Sequence, residues 1–72
     1  MGLSIQEADE IWRTEETVEY ELLGKRFIGK ITRVVVGDQK AVILGREQGA
    51  DPPNRYLGEV SLARLNKGGK NG

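Results

Sequence analysis

Seven basic side chains have the best claim to chemistry in this chain: Lys25, Arg26, Lys30, Arg33, Arg46, Arg55 and Arg64. Lysine offers a point charge to an anion, and arginine adds a planar fork of donors that matches a phosphate in two-point contact. Lys25, Arg26, Lys30 and Arg33 fall in one short stretch, where they could follow a phosphate backbone. The competing explanation is the solvated outer face of a half-buried strand, which is charged whatever it does. Arg46 and Arg55 bracket "REQGADPPNRY", residues 46–56, whose centre is stiffened by Pro52 and Pro53. A prestiffened loop with a guanidinium at each end suits recognition of phosphates or of a protein. It is also what a tolerated surface insertion looks like.

Other chemistries have less to build on. "GKRFIGKI", residues 24–31, follows the phosphate-binding loop pattern until Ile31, which stands where a Ser or Thr hydroxyl must hold magnesium. The chain has no histidine and no cysteine, so neither the usual zinc ligand sets nor a thiol or imidazole nucleophile system can be assembled. The spaced acidic ligands of a calcium loop are missing as well. No catalytic residue, metal site or cofactor is therefore expected. Four aromatics, Trp12, Tyr20, Phe27 and Tyr56, supply few platforms for stacked bases, and Tyr20 and Phe27 are expected in the core.

These side chains must be positioned by 72 residues, enough for one domain with a small core. The formal charge of zero hides a division: residues 1–21 hold seven acids and one base, and residues 22–72 hold ten bases and four acids. Such asymmetry suits a polyanion-binding body with an acidic arm, subunits that attract one another head to tail, or two solvated faces meeting in one fold. Ser4 and Glu7 have the spacing of a capping box, and Ile5, Ala8, Ile11 and Trp12 follow at helical intervals, predicting an amphipathic helix over 5–13. Trp12 belongs to the core side of that helix or, if exposed, to a partner contact.

From Thr17 the period becomes two. Val18, Tyr20 and Leu22 alternate with polar residues, then "RFIGKITRVVV" forms a long strand whose inward parity switches after Ile31. A bulge or bend made flexible by Gly29 would produce that switch. "GDQK" at 37–40 is a hairpin turn, "AVILG" the returning strand, and "YLGEVSLARL" a short strand ending in one 3₁₀ turn. The expected fold is mainly β: a small antiparallel SH3-like or Sm-like barrel of four or five strands with a short N-terminal helix. Its parts are a helical segment 1–16, a barrel 17–66 and a flexible tail 67–72. No apolar run approaches a membrane span and no leader pattern opens the chain, so the expectation is a cytoplasmic protein without membrane contact.

"SIQE" at 4–7, "GKI" at 29–31, "VIL" at 42–44 and the stretch Tyr56–Ser61 resemble the Sm-like small barrels of the Hfq type. The resemblance implies an RNA-binding role, with Gln6 matching a uridine-contacting glutamine and Tyr56 the first residue of a Y-K-H motif. Leu57 and Gly58 stand where that motif has Lys and His. "GEVSLARL" equally resembles the last strand and 3₁₀ turn of SH3-like and Tudor-like barrels. The expected function is a non-enzymatic binding module for nucleic acid, RNA foremost, through the seven basic residues. The alternative is a protein-interaction or inhibitor module that uses the 46–56 loop and the acidic helix, with Gln6, Trp12, Pro52, Pro53 and Tyr56 as contacts. A homo-oligomer is expected under both, because an open sheet edge and a thin core are relieved by pairing between copies.

Overall fold

The computed structural model describes residues 2–68. A helix, α1 (Ile5–Thr14), leads into five strands: β1 (Thr17–Leu22), β2 (Lys25–Val35), β3 (Lys40–Glu47), β4 (Arg55–Ser61) and β5 (Asn66–Lys67). A 3₁₀ turn over Leu62–Arg64 separates the last two strands. They form one antiparallel sheet in the order β4-β3-β2-β1-β5. Among the described residues no pairing joins β4 to β5, so the sheet is open and those two strands are its edges.

α1 starts as its sequence predicts. The Ser4 hydroxyl accepts from the Glu7 backbone N–H at 3.0 Å, and the Glu7 carboxylate accepts from the Ser4 N–H at 2.9 Å. That second bond, with help from the Ser4 side chain, holds the Glu7 carboxyl below the usual carboxylate range. Ala8 and Ile11 are buried, whereas Ile5 is half-buried and Trp12 is 38% exposed. Seven residues make almost two full helical turns, so Ile5 and Trp12 lie above one another on a flank of the apolar stripe rather than at its centre. The helix ends at Glu15 in a left-handed conformation, with the Glu16 N–H donating back to the Ile11 carbonyl at 3.1 Å.

The inward residues of the sheet, Val18, Tyr20, Phe27, Ile31, Ala41, Ile43 and Val60, join Ala8, Ile11, Leu62 and Leu65 in one core. The parity switch in β2 is a bulge at Thr32: Ile31 pairs with Ile43 and Arg33 with Val42, leaving Thr32 unmatched. Its hydroxyl donates to the Val42 carbonyl at 3.2 Å, which anchors the extra residue. Gly29 is not the bend, as the sequence suggested. It pairs with Gly45, and a Cβ on Gly29 would meet the Gly45 Cα at 2.5 Å, so this glycine is there to let two backbones approach. Val34 packs on the core, but Val36 leaves the strand for the turn at 36–39 and is 60% exposed.

Two further expectations change. The interruption anticipated over 46–56 shrinks to 48–54, because Arg46 and Arg55 are paired strand residues. Its neck is tied by the Glu47 N–H to the Asn54 carbonyl, the Asn54 amide to the Glu47 carboxylate, and the Gln48 N–H to the Arg26 carbonyl, each at 2.8 Å. Lys67, assigned to a free tail, is instead part of β5, paired with Val18 and followed by a Gly68 N–H to Thr17 carbonyl bond of 2.9 Å. The rest of the expected tail lies outside the described residues.

Candidate nucleic-acid interface

Because successive strand residues point to opposite faces, the inward core dictates what the outer face presents. Rows of paired residues run across it. Glu19, Ile28, Arg46 and Arg55 form one row, and Thr17, Lys30, Leu44 and Leu57 the next. An open groove of about 350 Å³ lies over part of these rows, lined by Thr17, Ile28, Gly29, Lys30, Leu44, Gly45, Arg46 and Arg55, with Glu19 and Leu57 outside its lining. Three cations thus surround a floor of aliphatic side chains and bare glycine backbone, and no carboxylate lines it.

Arg46 faces Arg55 directly across the ladder. Like charges at opposed positions destabilise an antiparallel pair, so the fold carries a small cost that a bound anion would remove. The Arg13–Asp9 ion pair at 3.0 Å and the Lys40–Glu59 pair at 3.7 Å do not use a groove cation. Arg33, opposite Val42, sits beyond the bulge on the same outer face.

The seven nominated cations therefore separate. Lys30, Arg46 and Arg55 come together, with Arg33 beyond them. Lys25 opens β2 at the tight turn of Leu23 and Gly24. Arg26 and Arg64 border a different depression of about 390 Å³, where Glu19 and Glu21 also lie, so its charge is mixed. A polyanion is repelled there as well as attracted, which favours the first groove as its seat.

The nominated partner residues also part company. Pro53 lines a shallow hollow beside Ile28 and Arg46, adjoining the basic groove, and Pro52 is exposed on the same loop. Tyr56 turns inward: its ring meets Tyr20 and Phe27 edge-on at 6.2 and 6.3 Å, and its hydroxyl donates to the Glu59 carbonyl at 3.0 Å. Gln6 and Trp12 share an apolar depression of about 420 Å³ with Ile5, Asp9, Val34 and Val36.

The nominations omit the aliphatic floor. Ile28, Leu44 and Leu57 occupy outward parity in strands whose inward residues were legible, and Leu44 is 53% and Leu57 70% exposed. Counting alternate positions along "AVILG" and "YLGEV" would have found both leucines. No group of His, Cys, Asp or Glu among the described residues could hold a metal ion, and no helix among them is long and apolar enough to cross a membrane.

Among the described residues the acid with the strongest shift is Tyr20. It is 3% exposed, stacks on Phe27 at 5.6 Å, and its hydroxyl lies against Gly45 without a hydrogen-bond partner. Burial, with a smaller contribution from Tyr56, pushes its pKa up to about 12. No protein-family model, curated protein or solved structure matches the chain.

Proposed function

We propose that the chain is a non-enzymatic binding module of the SH3-like or Sm-like small-barrel kind that holds a nucleic-acid backbone, RNA foremost, across the outer face of β2, β3 and β4. The observation that carries this is Arg46 set opposite Arg55 beside Lys30, around a groove with no lining carboxylate. The strand order, the bulged second strand and the 3₁₀ turn before β5 support the small-barrel assignment. Scarcity of exposed aromatic rings near the groove favours contact through phosphates and sugar over readout by stacking.

Fluorescence anisotropy with a labelled single-stranded RNA and the matching DNA tests it as salt is raised. Three neutralised phosphates give a log K against log salt slope of about −2. Arg46→Ala with Arg55→Ala should reduce the slope to about −0.7. A flat salt response, or unchanged affinity in that double variant, refutes the proposal. Self-association belongs to the same proposal: β4, from Arg55 to Ser61, is an edge strand with a free side. A protein-interaction role gains support from the exposed Trp12 beside Val36 rather than from the tied loop.

A further inference from the structure

Two apolar surfaces on this molecule carry opposite charge. The first is the depression between α1 and the end of β2, where Trp12 and Val36 are exposed and Ile5 and Val34 half-buried. Its rim is the helix, which carries Glu7, Asp9 and Glu10 against Arg13; Asp9 lines the depression itself and is paired with Arg13 at 3.0 Å. The second is the outer groove, where exposed Leu44 and half-buried Ile28 are bordered by Lys30, Arg46 and Arg55, with exposed Leu57 next to Leu44 across the ladder. They cannot meet within one chain. The helix stripe, Ala8 and Ile11, packs into the core on the inner face of the sheet, and the groove opens on the outer face.

We propose that the Trp12–Val36 surface of one copy docks on the Leu44–Leu57 groove of the next, giving a head-to-tail assembly. This deepens the self-association reading above and rests on it. Charge selects the arrangement from three. Pairing two grooves sets Arg46 and Arg55 against their own copies, and pairing two Trp12 surfaces brings together two helices that each carry three acids against one base. Only the unlike pairing sets a net-acidic surface against a net-basic one while both apolar patches leave water. Trp12 has the size and partial exposure of an anchoring side chain, and Leu44 with Leu57 supplies the aliphatic seat for it. Such a contact is heterologous, so an open assembly keeps one free donor surface at one end and one free acceptor surface at the other, and it grows or closes into a ring. The acidic helix then stands in for a nucleic-acid backbone on the same three cations, and the two compete.

Sedimentation velocity over a concentration series tests this, using the full chain without nucleic acid. Wild type should grow beyond a dimer as concentration rises, and added salt should shift it towards monomer. Arg46→Glu with Arg55→Glu damages only the groove, and Trp12→Ala damages only the helix surface. Each should associate more weakly by tenfold or more, on the order expected for loss of an anchoring contact. Val36→Lys, at an exposed turn position, is the second helix-surface lesion should Trp12→Ala lose its circular dichroism signal. Mixed in equal amounts, a groove variant and a helix-surface variant each retain one good surface, and they should form a 1:1 heterodimer and nothing larger. A wild type that stays monomeric throughout overturns both this contact and the self-association reading. Wild-type association that survives the lesions, or lesioned chains that fail to pair when mixed, overturns this contact alone.

Discussion

Gly45→Ala is a small change with a specific expected consequence. The residue sits in β3 at inward parity with ordinary strand backbone, so alanine itself is compatible with the conformation and in open space would stabilise the strand slightly. Space is the obstacle. A Cβ at Gly45 overlaps the Tyr20 hydroxyl, with the Tyr20 ring carbon Cζ at 3.1 Å and the Ile28 carbonyl oxygen at 3.2 Å behind it. Overpacking of this kind costs about 1–3 kcal/mol. Tyr20→Phe removes the overlapping oxygen, which is buried with no partner, and should by itself stabilise the fold by about 1 kcal/mol. In the phenylalanine background the nearest atoms to the same alanine are the two beyond 3 Å, which need shifts of a few tenths of an ångström, so its cost should fall below about 1 kcal/mol. The pair should therefore couple by about 1–2 kcal/mol. Equilibrium urea unfolding of the four proteins measures this. With a slope of about 1 kcal/mol per molar for so small a chain, the midpoint of Gly45→Ala should drop by about 1 M or more. Additive effects, or a destabilising Tyr20→Phe, would show that the hydroxyl is not pressed unpaired against Gly45.

The Tyr20 hydroxyl holds its proton more tightly folded, at a pKa of about 12, than at its ordinary value of 10.0. That contribution to stability is whole below pH 10 and is lost as pH rises through 12, and Tyr20→Phe should lack this alkaline loss in denaturant titrations. Leu23 is fully exposed at a φ of 53°, beside Gly24 at 76°, in a two-residue turn. Asparagine tolerates that left-handed conformation far better than leucine, so Leu23→Asn should raise thermal stability by about 0.5–1 kcal/mol. Ser4→Ala removes the N-cap acceptor and should cost about 1 kcal/mol in the same melts. The Glu7 carboxyl, lowered by its bond to the Ser4 N–H, adds stability above its ordinary pKa of 4.5 that disappears as pH falls, and Glu7→Gln should flatten this acid limb.

The elements themselves were legible because they rest on near-neighbour rules. Ser4 and Glu7 announced the helix start, the alternation from Val18 to Leu22 announced β1, and the parity change after Ile31 announced an irregular strand. Assigning the irregularity to Gly29 failed for a physical reason. Glycine permits bending, but it also permits close approach, and which use applies depends on the residue across the ladder, here Gly45. In sequence Lys67 resembles a tail because two residues carry no periodicity, and only the free side of β1 makes them a strand.

For the candidate site, residue type was visible in the sequence and company was not. The basic side chains could be named from their chemistry, but neither their spacing in sequence nor the loop between Arg46 and Arg55 reveals that these two are cross-strand neighbours. Register decides that, and register follows from which face is buried over the whole sheet. It likewise set Arg26 and Arg64 among carboxylates, turned Tyr56 into the aromatic core, and left Leu44 and Leu57 facing outward. By itself the order of residues determined the helix, the strand periods and a charge division that chain-local patterns express. The pairing of β3 with β4 and the seating of α1 on the inner face decided which charges share a surface, because long-range pairing brings together side chains whose separation along the chain carries no signal.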